Sequence, residues 1–201
     1  MLKKYAIIYV VTFWCFLISS SSIASEHPIE MLENITKNVM IKLKDNSQTL
    51  KHEPENVYPI IDTIILPHID FHAMARWTVG RNAWHAADDT TREAFVCEFR
   101  NFIVKNYTHF LIKFRNEKVA FFPLRQKIKD QQEIRVSSEI KKESGTPIRM
   151  DYRLIRRDNA WRVFDIIVED VSLLKGYKNQ FANAVKKGGI PAVIEAIRHQ
   201  R

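Results

Sequence analysis

Residues 148–177, IRMDYRLIRRDNAWRVFDIIVEDVSLLKGY, constrain the fold more than any other stretch of the chain. Ile148, Met150, Tyr152 and Leu154 alternate with Arg149, Asp151 and Arg153, the period-two pattern of a strand that buries one face. Arg157-Asp158-Asn159 is turn-forming sequence, because Asp and Asn tolerate left-handed backbone. The run from Trp161 to Val168 starts by alternating and becomes continuously apolar at Ile166, Ile167 and Val168, as in a strand covered on both faces. Together they predict a β-hairpin lying against an apolar layer.

The rest of the chain supplies that layer. From Pro28 the residues Ile29, Leu32, Ile35, Val39 and Leu43 recur every three or four positions, predicting a helix with the proline in its first turn. After a polar break at 52–56, Val57, Ile60, Ile61, Ile64 and Ile65 predict a second helix, ended by Pro67. A third runs from about Asp70 to Val79, with Asp70 as N-cap and Gly80 as C-cap. Thr90-x-x-Glu93 reads as a capping box opening the longest helix, where Phe95, Phe99, Phe102, Ile103, Tyr107, Phe110, Leu111 and Phe114 give a wide apolar face. Strands are expected at 119–123, 133–140, 148–155 and 161–168, then helices at 177–187 and 190–198 split by Gly188-Gly189. Helices, then strands, then helices describe an α+β domain: a small curved antiparallel sheet of about four strands against a collar of about six or seven helices.

The N-terminus carries Lys3 and Lys4, an apolar run from Tyr5 to Ile18, a serine cluster and Ser22-Ile23-Ala24, a small-x-small cleavage pattern. Residues 1–24 are therefore read as a secretory signal peptide and 25–201 as one domain. The apolar run is short against the roughly 20 residues of a spanning helix. Removing the leader lowers the net charge from +8 to +6 and leaves Cys97 as the lone cysteine. An exported domain without an internal disulfide depends on its core, and Cys97 is expected to be buried on the long helix.

Catalytic chemistry finds little support. His68 and His72 stand four apart, a spacing that suits zinc on one helix face, but no third ligand lies at a recognisable distance. Ser172 lacks a Gly-x-Ser-x-Gly frame, and adjacent Glu169 and Asp170 suit a turn better than acid–base work. With five glycines in all, there is no phosphate-binding loop. Arg149, Arg153, Arg156, Arg157 and Arg162 crowd the hairpin, which makes a solvated face or one that attracts anionic lipid surfaces and acidic partners. An exported chain without a nucleic-acid motif is not expected to bind nucleic acid.

The hairpin continues as Trp-x-Val-x-Asp-x-x-Val-Glu-x-Val-Ser with a following Tyr-x-x-x-Phe, at Trp161, Val163, Asp165, Val168, Glu169, Val171, Ser172, Tyr177 and Phe181. Upstream stand Leu66-Pro67-x-x-Asp70-Phe71 running to Gly80 and Trp84, and Phe95-x-x-x-Phe99 running to Tyr107. This order and spacing resemble the MlaC family, also called toluene-tolerance or ABC-transporter auxiliary proteins. One departure is Asp170, where many relatives carry Gly. The resemblance implies an apolar cavity between sheet and helices that holds phospholipid acyl chains, with the headgroup near solvent. It further implies a monomeric periplasmic carrier of Gram-negative bacteria, with phospholipid as cargo, no cofactor and no enzymatic activity. Such a carrier shuttles lipid between an outer-membrane lipoprotein–porin complex and an inner-membrane ABC transporter complex, maintaining outer-membrane lipid asymmetry. On this reading the lipid-binding residues are Phe99, Ile103, Tyr107 and Phe110 on the long helix, Ile148, Met150 and Tyr152 on the first hairpin strand, and Val163 and Ile166 on the second. Arg149, Arg153 and Arg156 form the docking surface. A small-molecule enzyme with an apolar cavity and a periplasmic protein-binding module are the alternatives; the first needs a polar group with a displaced pKa at the pocket floor, and the second carries no lipid.

Overall fold

The computed structural model describes residues 26–200, except 114, 126, 143 and 144. The leader sequence at 1–24 and Phe114 lie outside the described residues. The chain opens with α1 (Pro28–Asp45) and α2 (Thr49–His52). Where one helix was expected over 57–65, the backbone winds irregularly through a 3₁₀ turn (Pro54–Val57), α3 (Tyr58–Ile60), a π turn (Ile61–Ile65) and another 3₁₀ turn (Leu66–His68). Pro54, Pro59 and Pro67 each lack an amide hydrogen, so regular α-helical bonding cannot run through. Then come α4 (Phe71–Val79), α5 (Arg81–Ala86) and α6 (Asp89–Lys113). Asp70 caps α4 as expected, its Oδ1 accepting from the Ala73 amide at 2.8 Å, and Gly80 follows with φ 81°. At α6 the expected Thr90 cap is replaced by Asp88, whose carboxylate accepts from the Thr91 amide at 2.7 Å.

Five strands follow: β1 (Lys118–Phe121), β2 (Glu133–Lys141), β3 (Ile148–Arg157), β4 (Ala160–Val168) and β5 (Val171–Ser172). They form one open antiparallel sheet in chain order. β5 has two residues, too few to show alternation in the sequence. The last helix, α7 (Leu173–Arg198), is broken at Gly188 and Gly189, whose backbone leaves helical geometry. The expected split therefore stands.

Register places the apolar residues in cross-strand rows on one face. Val119, Ile140 and Ile148 make one row, and Phe121, Ser138, Met150, Val168 and Val171 the next. Val136, Tyr152 and Ile166 make a third, and Ile134, Leu154 and Val163 a fourth. Between the last two rows β4 carries one extra residue, because Arg153 pairs with Asp165 and Leu154 with Val163. The bulge turns Phe164 to the opposite face, where it is buried in the helical core with Phe95, Phe99, Leu174 and Phe181. A second cluster joins Met31 and Leu32 of α1 to Ile134, Val136, Leu154, Trp161 and Val163. A third joins the rest of α1 to the irregular helices and to Val104, Leu111 and Ile112 of α6. Thus α6 is apolar on more than one side because it serves two clusters. Cys97 points elsewhere: it is exposed, correcting the expectation of burial. Two residues beyond Phe95 is about 200° around the helix, the far side from the Phe95–Phe99 stripe.

Both tight turns use left-handed backbone, at Asp158 and Asn159 (φ 47° and 60°) and at Glu169 and Asp170 (φ 46° and 63°). Glu169 ties its turn to β3: its Oε1 accepts from the Arg149 amide at 2.5 Å, and its own amide donates to the Arg149 carbonyl at 3.1 Å. A side chain in this conformation costs roughly 1–2 kcal/mol, part of which glycine returns through its larger unfolded-state entropy. Asp170→Gly is therefore expected to stabilise the protein by about 0.5 kcal/mol. Urea titration would show a higher midpoint at unchanged slope; a lower midpoint would mean that the Asp side chain itself supports the turn.

Candidate functional site

The apolar sheet face is sealed at one end and open at the other. Near the β3–β4 turn, Ile134, Val136, Leu154 and Val163 are buried beneath α1. Toward the β4–β5 turn, Ser138 and Ile140 of the central strand stay buried, but Val119, Phe121, Ile148, Met150, Tyr152 and Ile166 around them are only half-buried, and Val168 and Val171 are 41% and 69% exposed. Apolar surface left contiguous and uncovered marks a place where another apolar body sits, because each Å² left in water forgoes about 25 cal/mol. Two hydroxyls interrupt this face, those of Ser138 and Tyr152.

Of the nine residues expected to bind lipid, the structure gathers five on this face: Ile148, Met150, Tyr152, Val163 and Ile166. Val163 is buried and the other four half-buried. Phe99 and Ile103 belong to the helical cluster instead. Phe99 is wholly buried, its ring stacked on Phe95 at 5.4 Å and edge-on to Tyr177 at 5.5 Å. Tyr107 and Phe110 are partly exposed and line a separate pocket of about 410 Å³ with Phe102, Asn106 and Tyr177 of α6 and α7. Burial, followed by the neighbouring Tyr107, pushes the Tyr177 phenol well above its ordinary value, so it stays neutral.

The three docking arginines also separate. Arg149 is exposed on the polar sheet face. Arg153 is packed between Trp77 and Phe164, 4.9 and 4.6 Å from their ring centres, and lies 3.6 Å from both Glu133 and Asp165. Arg156 stacks on Trp161 at 4.7 Å. The last two therefore brace the hairpin, a use their alternation with apolar residues did not reveal. On the same polar face, burial pushes the Asp151 carboxyl up, but hydrogen bonds from Arg135 and Ser137 outweigh it and hold the group below the usual carboxylate range.

Asp165, which the sequence marked only as part of a motif, is wholly buried. Its carboxylate accepts from Ser172 Oγ at 2.8 Å and from the Leu174 amide at 3.1 Å, with Arg153 at 3.6 Å. Ser172 Oγ in turn accepts from the Lys175 amide at 3.0 Å, capping α7. The motif thus fixes the joint between sheet and last helix. His68 and His72 do not converge. His68, its pKa lowered by burial and by Arg162, sits beside the hairpin, whereas His72 Nε2 lies 3.6 Å from Glu93. Among the described residues no three His, Cys, Asp or Glu side chains group to hold a metal. A further cleft of about 590 Å³ is lined by Ile69, Phe71 and Val96 and by Arg157 and Arg100, which pair with Asp70 and Asp62, each at 3.0 Å.

The family model described as MlaC protein matches residues 33–199. The toluene tolerance protein ttg2D of Pseudomonas putida is 21% identical over 168 residues, which cover 84% of this chain and 77% of that protein. The intermembrane phospholipid transport system binding protein MlaC of Haemophilus influenzae is 21% identical over 196 residues, covering 96% and 91%. Among solved structures, the phospholipid-binding protein from Ralstonia solanacearum, in complex with a phospholipid, superposes with a TM-score of 0.76 at 26% identity, over 85% of this chain and 94% of that one.

Proposed function

This chain belongs to the MlaC family, and from that premise we propose that it is a periplasmic phospholipid carrier and not an enzyme. The half-covered apolar sheet face, with Ile148, Met150, Tyr152 and Ile166 along it, carries the reading. The phospholipid-bound state of the Ralstonia solanacearum neighbour supports it. Each methylene withdrawn from water contributes about 0.8 kcal/mol, so acyl chains cannot cross an aqueous compartment bare. Transfer from a bilayer to an equally apolar surface is close to neutral, which lets such a carrier load and unload without chemistry. The leader-like sequence at 1–24 fits export to the periplasm. There the protein passes lipid, as a monomer, between an outer-membrane lipoprotein–porin complex and an inner-membrane ABC transporter complex, in support of outer-membrane lipid asymmetry.

A ligand that binds only the folded state must stabilise it, by about 2.7 kcal/mol at a hundredfold excess over Kd. Delipidated protein is therefore expected to melt several degrees higher once phospholipid is added; an unchanged melting temperature together with no lipid uptake would remove the carrier reading. Docking falls to Arg149, since Arg153 and Arg156 are engaged within the fold. Arg149→Glu is expected to slow transfer to acceptor complexes severalfold at low salt without lowering lipid content, because exposed charges act on encounter rate. Wild-type transfer rates at low salt would place docking elsewhere.

A further inference from the structure

The apolar sheet face has four borders, and they are covered unequally. The border near the β3–β4 turn lies beneath α1, whose Met31 and Leu32 share a cluster with Val136, Leu154 and Val163. Along the β1 edge, Leu124 and Ile128 of the following loop pack against the same cluster together with Phe121, whose ring centre stands 6.0 Å from that of Tyr152. At the strand ends, Ile140 stays buried between half-buried Val119 and Ile148. The β5 edge differs. Along the row Ser138, Met150, Val168, Val171 the side chains pass from wholly buried through half-buried to 41% and then 69% exposed. Val171 is the most exposed large apolar side chain among the described residues.

Val171 is held in that position from both sides. Before it, Glu169 Oε1 accepts from the Arg149 amide at 2.5 Å, and Glu169 and Asp170 take left-handed backbone, which residues other than glycine adopt at a cost. After it, Ser172 Oγ donates to the buried Asp165 carboxylate at 2.8 Å. A threonine of the same shape would serve a two-residue strand equally well without keeping two methyls in water. An apolar side chain pinned outward at the end of a continuous apolar row calls for an apolar body that crosses it. We propose that phospholipid enters and leaves sideways, over the β5 edge, with Val168 and Val171 as the lip its acyl chains cross. This path rests on the carrier reading and adds its direction. A chain moving along the row keeps apolar contact to the last residue, so the lip sets how fast lipid passes, and the half-buried interior of the face sets how much is held.

The test follows uptake of phosphatidylglycerol with a fluorophore on one acyl chain, from phosphatidylcholine vesicles into delipidated full-length mature protein. Val171→Asp is expected to slow uptake roughly three- to fivefold, the rate equivalent of one methylene left unburied in passage. Final lipid content and the melting temperature of the lipid-free protein should not change, because the side chain contributes little to either. Val171→Thr should slow uptake in the same direction, whereas the matched change Val119→Thr, at the strand ends, should leave the rate as it is. Wild-type uptake by Val171→Asp, or equal slowing by the two threonine variants, would overturn the lateral path and leave the carrier reading standing. A lower melting temperature of lipid-free Val171→Asp, or a lower lipid content at an unchanged rate, would overturn the lip as well, since Val171 would then serve the fold or the binding surface. Failure of wild-type protein to take up lipid at all would overturn the carrier reading and the path together.

Discussion

Asp165→Ala is expected to destabilise the protein by about 3–5 kcal/mol, the range seen when one partner of a buried ion pair is removed. The carboxylate is wholly buried, accepts hydrogen bonds from Ser172 Oγ and the Leu174 amide, and faces the Arg153 guanidinium at 3.6 Å. Its loss leaves the Arg153 guanidinium pinned between Trp77 and Phe164 with Glu133 alone, and frees the capping serine from its partner. For a chain of this length the melting temperature should fall by on the order of 10 °C. Asp165→Asn should lie between the two, since one amide oxygen can still accept from Leu174 while the charge opposite Arg153 is gone. Urea denaturation followed by circular dichroism measures both. A loss below about 1 kcal/mol for the alanine variant would show that α7 docks through its apolar contacts alone.

Phe99→Ala and Ile148→Asp should separate stability from cargo. Phe99 lies in the solid helical core, stacked on Phe95 and edge-on to Tyr177, so truncation leaves a cavity and costs about 3–5 kcal/mol. The surviving folded protein should still carry lipid, since the sheet face is intact. Ile148 is half-buried at the open end of that face. A carboxylate there costs little fold stability where water can reach it, but it places a charge against the acyl chains. Lipid content should drop severalfold with the melting temperature of the lipid-free protein nearly unchanged. Lipid loss in Phe99→Ala at temperatures where it is folded would bring α6 back into the binding surface.

The sheet face was legible in the sequence because a strand's side-chain period is two: Ile148, Met150, Tyr152 and Leu154 could only fall together. The partner of a helical stripe is not written in the same way. Phe99 and Tyr107 share a helical spacing, yet one is sealed against α7 and the other opens onto a pocket. Likewise the alternation put Arg153 on the polar face without showing that α4 covers it there through Trp77. The bulge at Phe164 was hidden because Val163 and Phe164 are adjacent apolar residues, and the sequence does not say which of the two keeps the register. Asp165 was visible as part of a motif, but its role depends on Leu174 and Ser172 folding back onto it after a turn of left-handed residues.

Native mass spectrometry of the protein purified from cells bears most directly on the carrier assignment. The spectrum of the wild-type chain should contain a species heavier by the mass of one phospholipid, released as such on collisional activation, and that species should be largely depleted in Ile148→Asp. A wild-type spectrum at the bare protein mass, unchanged after incubation with phospholipid vesicles, would contradict it.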